Sequence, residues 1–553
     1  MQTKQFLTQS SLACALEVSR RVVRVISVVQ AGKRGTTADS RHGHVGRSLC
    51  AVAVCLTVLM ALGMPGSGAS AAEGAPSPGA PSPSPSTSAD RPDPLARFST
   101  QTPGWTACGN HQQCASIEVP LSYLEPEGAT VKIALRRAQA TGSASLGSIV
   151  INPGGPGASG TGIVESVDAL VPKAIRKRYD IVGVDPRGVG SSTRLVCLTA
   201  EQVQQLSSAP SKGKASAESQ LAPASAVALG CKAIGGALVG EVGTPNAARD
   251  LDIVRAVLGE ERLNYIGISY GTYLGAVYAQ LFPTRVGRTL LDAGLSPSVD
   301  MIDWGRAQVS GFQGAFKRWA SGCSTRATCS LQGSPAAVQR RVVDLLAELR
   351  KHPLPAQGGR PVDGGELQGL LQGLLPVGVS MWPGIDALIS AAEAGDSRPV
   401  RAMSKSLEDA GGTPPANLLS VNAGVNCYDR PTASTPAAVL ARASQWEKIS
   451  PIFGRAMAIT TYMCANWPVR QGGAIAEVTS ATEQPILLIG GTKDPLTPYS
   501  WTQELARAFT HSRVLTFDGE GHGALGKGSA CIDRAVTRYF LDEQLPAAGS
   551  RCR

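Results

Sequence analysis

The stretch Asn264–Pro283, Asn-Tyr-Ile-Gly-Ile-Ser-Tyr-Gly-Thr-Tyr-Leu-Gly-Ala-Val-Tyr-Ala-Gln-Leu-Phe-Pro, constrains the fold more than any other part of the chain. Its short apolar run, Tyr265 to Ile268, reads as a buried strand, and the small and apolar residues after Gly271 suit a buried helix that Phe282-Pro283 stops. Between them lies Gly267-Ile-Ser269-Tyr-Gly271. A turn that tight tolerates no bulk beside the serine, which explains the flanking glycines. It lifts the Ser269 hydroxyl above a sheet edge, at a helix N-terminus whose dipole favours negative charge. With 62 Gly in 553 residues, a bare Gly-x-Ser-x-Gly is expected about half a time by chance. The flanking strand and helix therefore carry the inference that Ser269 is a nucleophile.

The chain begins with a basic, aperiodic segment, followed by the apolar run Leu49–Leu62 and the small residues Ala69-Ser70-Ala71. This order is that of an export signal; the run is too short for a membrane-spanning helix. Residues 1–71 hold eight Lys/Arg and two Asp/Glu, so removing them takes the formal charge from +10 to +10 − 6 = +4. No clustered basic face remains to argue for nucleic acid. Residues 72–95 form a Pro/Ser/Ala linker (Ala75-Pro-Ser-Pro-Gly-Ala-Pro-Ser-Pro-Ser-Pro), which cannot pack a core and reads as an extended tether, suited to crossing a cell wall. Of 13 Cys, Cys14, Cys50 and Cys55 precede the expected cleavage point. The other ten fall as neighbours: Cys108 with Cys114, Cys197 with Cys231, Cys323 with Cys329, Cys427 with Cys464, and Cys531 with Cys552. Five local bridges are the expected scheme, in keeping with export, although spacing alone does not fix connectivity. Neither a Cys-x-x-Cys nor a His cluster suggests a metal, and no cofactor is expected.

Residues 96–297 read as the first part of an α/β core. Cys114–Tyr123 and the alternating Thr130–Arg137 suggest antiparallel strands, and Gly147–Ile151 a buried one. That strand runs into Asn152-Pro-Gly-Gly-Pro-Gly157, where backbone approaches a substrate without side chains in the way. Gly155 is the expected amide donor to an oxyanion, with Gly154 the alternative; the amide of Tyr270 is the second donor. Asp185 and Arg187, after the strand Tyr179–Asp185, are read as pins for the neighbouring loop. Thr244–Leu258 reads as a helix with a capping Thr and Pro245 at its first position, leading to the Ser269 strand. Alternating strands and helices imply a parallel sheet. After Arg288–Asp292 the strand signals vanish, and residues 298–480 read as an inserted helical cap. Residues 481–553 restart the sheet at Pro485–Gly491 and close it with a last strand at Arg513–Phe517 and a helix at Ile532–Leu541.

A serine hydroxyl needs a base, and the base an orienting acid. Of His111, His352, His511 and His522, the last sits in Gly519-Glu-Gly-His-Gly523 just beyond the last expected strand, where it can reach over Ser269. Gly491-Thr-Lys-Asp494-Pro-Leu-Thr-Pro498 puts Asp494 at the carboxyl end of its strand; Asp292 is the rival acid. The order Ser269, Asp494, His522 matches that of the α/β-hydrolase fold, a mostly parallel sheet flanked by helices, here with the helical cap inserted.

Asn152–Gly157, Asp185–Ser192, Gly267–Gly271, Gly491–Pro498 and Gly521–Gly523 together resemble the secreted tripeptidyl aminopeptidases, relatives of the proline iminopeptidases, from roughly residue 100 to the C-terminus. Pro153 stands where the iminopeptidases carry His, so the chain departs from that branch. The resemblance implies a serine exopeptidase that takes peptide substrates, with a cap that reads a free amino end; an exported monomer is expected. In Asn426-Cys-Tyr-Asp429, bridged to Cys464–Pro468, Asp429 is the expected anchor for the ammonium; Trp467 is read as core. A carboxylesterase with the same three residues is the second reading. An inactive hydrolase fold used for binding is the third, and an intact nucleophile, acid and base argue against it.

Overall fold

The computed structural model describes residues 93–553 apart from 200, 204–216, 324, 356–360, 411–412, 431, 433 and 470–476. The basic segment, the apolar run and nearly all of the linker lie outside the described residues.

Ten strands make one sheet: β1 (Thr106–Ala107), β2 (Gln112–Pro120), β3 (Thr130–Ala138), β4 (Ser148–Asn152), β5 (Asp180–Asp185), β6 (Leu263–Ile268), β7 (Val286–Asp292), β8 (Ile486–Lys493), β9 (Ser512–Glu520) and β10 (Arg551–Cys552). Their order is β1-β2-β3-β5-β4-β6-β7-β8-β9-β10. The pairings β1·β2, β2·β3 and β3·β5 are antiparallel and the rest are parallel. The chain is thus an α/β-hydrolase fold. Contrary to expectation, Arg513–Phe517 is not the last strand: β9 extends to Glu520 and β10 pairs beside it, tied back through Cys531–Cys552.

Helices cover both faces of the parallel part, so its strands are buried on both sides and read as continuous apolar runs. Alternate residues go to opposite faces. With the helices of seven or more residues numbered in chain order from α1 (Ala217–Ile234), and α12 at Tyr499–Ala506, Val150, Val182, Tyr265 and Leu488 face α2 (Thr244–Val257) and α3 (Tyr270–Leu281), while Ile149, Ile181, Ile266 and Leu487 face α13 (Ala530–Asp542). Each fully buried aliphatic side chain is worth about 1.5–3 kcal/mol. A slip of one residue in β4 or β6 would exchange the two faces, which fixes the register of the strand that leads to Ser269.

The pinning roles expected of Asp185 and Arg187 have direct counterparts. Asp185 accepts from Ser159 Oγ, the Thr161 amide and the Ser191 amide at 2.7–2.9 Å. Arg187 forms a fully buried fork with Asp250 at 2.6 and 2.7 Å and also donates to the Pro120 and Leu121 carbonyls.

Between Asp292 and Ile486 none of the described residues joins the sheet. The interval holds α4 (Met301–Cys323), α5 (Pro335–Lys351), α6 (Gly364–Leu374), α7 (Trp382–Glu393), α8 (Arg398–Ala410), α9 (Pro415–Asp429), α10 (Pro436–Ile449) and α11 (Gly454–Thr460). Most pack around their own core of Phe312, Phe316, Trp319, Leu346, Leu371 and Phe453. Helix α9 does not. Its Leu419, Val421, Ala423, Val425 and Cys427 belong to the core beneath the sheet. Its polar residues stitch it to the loops around Ser269: Asn417 donates to the Gly188 and Leu195 carbonyls, and Asn422 to that of Pro156.

The structure places the ten cysteines pairwise. In the core, Cys108 lies beside Cys114 with Cα atoms 5.7 Å apart, Cys197 beside Cys231 at 4.2 Å, and Cys531 beside Cys552 at 5.5 Å. In the helical insertion, Cys323 at the end of α4 lies 5.4 Å from Cys329, and Cys427 of α9 lies 5.1 Å from Cys464. These separations lie within or close to the range that a disulfide spans.

Candidate active site

Ser269 sits between β6 and α3 at φ 58°, ψ −124°, a strained conformation for a residue with a side chain. A Cβ on Gly267 would lie 2.3 Å from the Gly271 carbonyl oxygen, and one on Gly271 2.7 Å from that of Asn152. The flanking glycines are therefore obligatory. The Ser269 amide donates to the Asp292 carbonyl on the neighbouring strand at 2.9 Å, and its own carbonyl accepts from the Thr272 amide and hydroxyl. Backbone on both sides holds the serine in place.

The Asn152–Gly157 loop closes on this turn, since a Cβ on Gly154 would meet Ser269 Cβ at 2.9 Å. The Gly154 amide is already bound to Asn152 Oδ1 at 2.9 Å. The amides of Gly155 and Tyr270 find no acceptor among the described residues, which favours Gly155 over Gly154 as the donor paired with Tyr270.

His522 and Asp494, 28 residues apart, meet at the carboxyl ends of β8 and β9, with His522 Nδ1 2.9 and 3.0 Å from the two carboxylate oxygens. Asp494 also accepts from the amides of Leu496, Thr497 and Gly523 and from Thr497 Oγ1 at 2.8–3.2 Å. Burial pushes its pKa up, but the neighbouring His522 and these bonds outweigh burial and hold it below the usual carboxylate value. An ionised carboxylate only accepts, so the imidazole carries its proton on Nδ1 and leaves Nε2 free as a base. Ser269 Oγ and His522 Nε2 share no hydrogen bond in this structure, and neither has another partner among the described residues. Such contacts commonly tighten only when substrate binds. Gly523 lies beside both Asp292 and Ile268, which brings the histidine loop to the end of the strand that precedes Ser269.

Asp292, the rival acid, makes no bond to the imidazole. Its carboxylate accepts from the Ala524 and Leu525 amides at 2.8 Å, under the histidine loop, and burial raises its pKa. The remaining candidates are elsewhere: His111, His352 and His511 are exposed and make no contact with this cluster.

Asp429 is buried at the end of α9. Its Oδ1 accepts from the Thr244 amide at 3.0 Å and its Oδ2 from the Thr244 hydroxyl. Thr244 is thus not the cap of its helix, as the sequence suggests; it is the first helical residue, and Asp429 caps it from another element. Thr244 Oγ1 lies 2.5 Å from the Tyr270 hydroxyl, and since it donates to Asp429 it accepts there. Burial raises the Asp429 pKa to about 6, against the lowering effects of Arg430 and Thr244. Trp467 packs against the core cluster of the sheet.

Two neighbours escaped the sequence reading. Thr497 braces Asp494, and Lys527, five residues past the histidine, donates to the Glu520 carbonyl at 3.2 Å. Single polar residues in loops carry no periodic signal, so nothing in the sequence marks them.

A strained serine on a strand-to-helix turn, two unpaired amides beside it and a carboxylate-bound imidazole describe a serine hydrolase of the α/β class. Comparison with known proteins narrows this further. Residues 450–552 match the family model described as TAP-like protein. The tripeptidyl aminopeptidase of Streptomyces lividans is 35% identical over 460 residues, covering 80% of this chain and 83% of its own. Serine protease Hip1 of Mycobacterium tuberculosis is 32% identical over 480 residues, covering 81% and 90%. Carboxylesterase B of Mycobacterium tuberculosis is 31% identical over 460 residues, covering 80% and 86%. The chain belongs to the TAP-like family of α/β-hydrolases and is a serine hydrolase. No helix among the described residues is long and apolar enough to cross a membrane.

Proposed function

We propose that this protein is an exported exopeptidase that releases short peptides, tripeptides in particular, from free N-termini. The observation that carries the catalytic part is the Asp494–His522 pair, buried and poised at the same sheet edge as Ser269. Ser269 Oγ attacks the scissile carbonyl while His522 Nε2 takes its proton. The amides of Gly155 and Tyr270 receive the oxyanion. His522 then protonates the leaving amine, and a water deprotonated by the same imidazole hydrolyses the acyl-enzyme. Asp494 keeps the imidazole in the right tautomer throughout.

Asp429 is the proposed anchor for the substrate ammonium. Thr244 donates one hydrogen bond to each Asp429 carboxylate oxygen, and each oxygen keeps a second lone pair. The five cysteine pairs, with Cα separations of 4.2–5.7 Å, support export to an oxidising compartment.

A carboxylesterase is the second reading, favoured by the relative of that name. The two separate on a tripeptidyl anilide and its N-acetyl twin. Acetylation would strand a buried carboxylate, at roughly 2–5 kcal/mol or about 30- to 5,000-fold in kcat/KM. Equal rates on both, with faster turnover of a short-chain ester, would transfer the assignment to the esterase.

A further inference from the structure

The segment that carries His522 is held from the cap side as well as from the sheet. The His522 amide donates to the Pro376 carbonyl, in the turn after α6, at 2.6 Å. Gly521, at φ 93°, is wedged so closely that a Cβ would lie 2.6 Å from the Pro376 oxygen, 2.6 Å from Lys527 Nζ and 2.9 Å from the Val377 oxygen. Opposite it Gly378, at φ 100°, would place a Cβ 2.7 Å from the Glu520 carbonyl oxygen. Two backbones thus meet face to face with no room for side chains. Beside this joint Arg318 of α4 donates to Glu520 Oε2 at 2.8 Å and to the Lys493 carbonyl at 3.2 Å, and Lys493 Nζ lies 3.3 Å from Glu520 Oε1. The Glu520 side chain is 13% exposed and that of Arg318 33%, so the charge-assisted contact is part-buried, shielded on the Glu520 side.

We infer that the cap seats the base: the Pro376–Gly378 turn and the Arg318–Glu520 pair fix the loop of His522, making Arg318 and Glu520 positioning residues for it. The inference rests on the reading of His522 as the base. Its consequence is that cap docking and imidazole placement are one event, so a cap shifted away from the sheet leaves the enzyme without a placed base. Positional errors of about 1 Å at a reacting group cost up to about 100-fold in rate.

The test uses the mature enzyme and a tripeptidyl p-nitroanilide. Arg318→Ala and Glu520→Gln are expected to lower kcat by about 10- to 100-fold per folded molecule, with KM within about twofold. Arg318→Lys, which keeps the charge, recovers most of the loss, and the Arg318→Ala/Glu520→Gln double variant is no slower than the worse single one. Circular dichroism provides the folded fraction, which separates a placement defect from simple unfolding. A kcat within twofold of the parent in both single variants, a loss confined to KM, or additive losses in the double variant would each overturn the inference. His522→Gln is run alongside. If it retains turnover, the base assignment falls and the joint loses its meaning; if it is inactive while the Arg318 and Glu520 variants are unimpaired, only the joint falls.

Discussion

Replacing Asp494 by Asn tests the acid with almost no change of shape. Both oxygens of Asp494 face donors: Leu496 and Thr497 amides on Oδ1, the Gly523 amide and the Thr497 hydroxyl on Oδ2. An amide group is accommodated best at the Oδ2 position, where the facing backbone amide is the most distant at 3.2 Å and the Thr497 hydroxyl can reverse its role. That position is 2.9 Å from His522 Nδ1. An N–H placed there favours the tautomer with a bare Nδ1 and a proton on Nε2, which cannot accept the proton of Ser269. The expected fall in kcat is about 10⁴, or roughly 5.5 kcal/mol, with KM little changed. Asp292→Asn acts differently, because among the described residues the carboxylate it replaces accepts only from the Ala524 and Leu525 amides. One of these would face the new amide group, at about 1–3 kcal/mol of stability, and kcat per folded molecule falls far less. Steady-state kinetics on a tripeptidyl p-nitroanilide, with urea melts of both variants, decide the matter. Turnover within tenfold of the parent in Asp494→Asn, or a 10⁴-fold loss in Asp292→Asn, would refute the assignment.

Ser269→Ala is expected to lower kcat by about 10⁶ with an unchanged melting curve, and a fluorophosphonate should label Ser269 alone, as located by peptide mass mapping. Asp250→Ala leaves the fully buried Arg187 guanidinium without its carboxylate and should destabilise the fold by about 3–5 kcal/mol in a urea melt; a change below 1 kcal/mol would mean that water reaches the site.

The elements that were legible in the sequence are those whose signal is local and repeated. Strands β4 to β8 are buried on both faces, and each appears as an apolar run such as Ile149-Val-Ile151 or Ile486-Leu-Leu-Ile489. The serine turn is legible because the packing distances around Gly267 and Gly271 exclude any other residue. Position along the chain suggests Asp494 over Asp292, since both end a sheet strand, but only the fold shows that one faces an imidazole and the other a loop backbone. Helix α9 was not legible as anything but part of the helical insertion. It is apolar where it enters the core and polar at Asn417, Ser420 and Asn422, and those polar groups meet partners more than 200 residues away. Strand β10 is too short to carry a periodic pattern, and its pairing depends on contacts with β9.

Three carboxylates are buried around this site, and their electrostatics separate their roles. Burial raises Asp292 and Asp429; it acts on Asp494 as well, yet only Asp494 is held below its usual value, because it faces an imidazole and four further donors. Two groups in one site pushed in opposite directions have different work to do. Asp494 stays ionised throughout, whereas Asp429, raised to about 6, changes charge within the working range of an enzyme. The sign follows directly: below about pH 6 Asp429 is neutral and attracts an ammonium weakly, and above it the carboxylate is charged. Preference for a free N-terminus, measured as the ratio of kcat/KM for a tripeptidyl anilide to that for its N-acetyl twin, should therefore rise through about pH 6. The rise should level off by pH 7, before the substrate amine, with a pKa of about 7.7–8.0, begins to lose its own proton. Taking the ratio cancels any titration of the catalytic groups common to both substrates. Asp429→Asn should abolish the step and leave a low, flat ratio. A ratio in the parent enzyme that is flat from pH 5 to 7, or a step that persists in Asp429→Asn, would remove Asp429 as the anchor and leave it only the role of holding Thr244 and, through it, Tyr270.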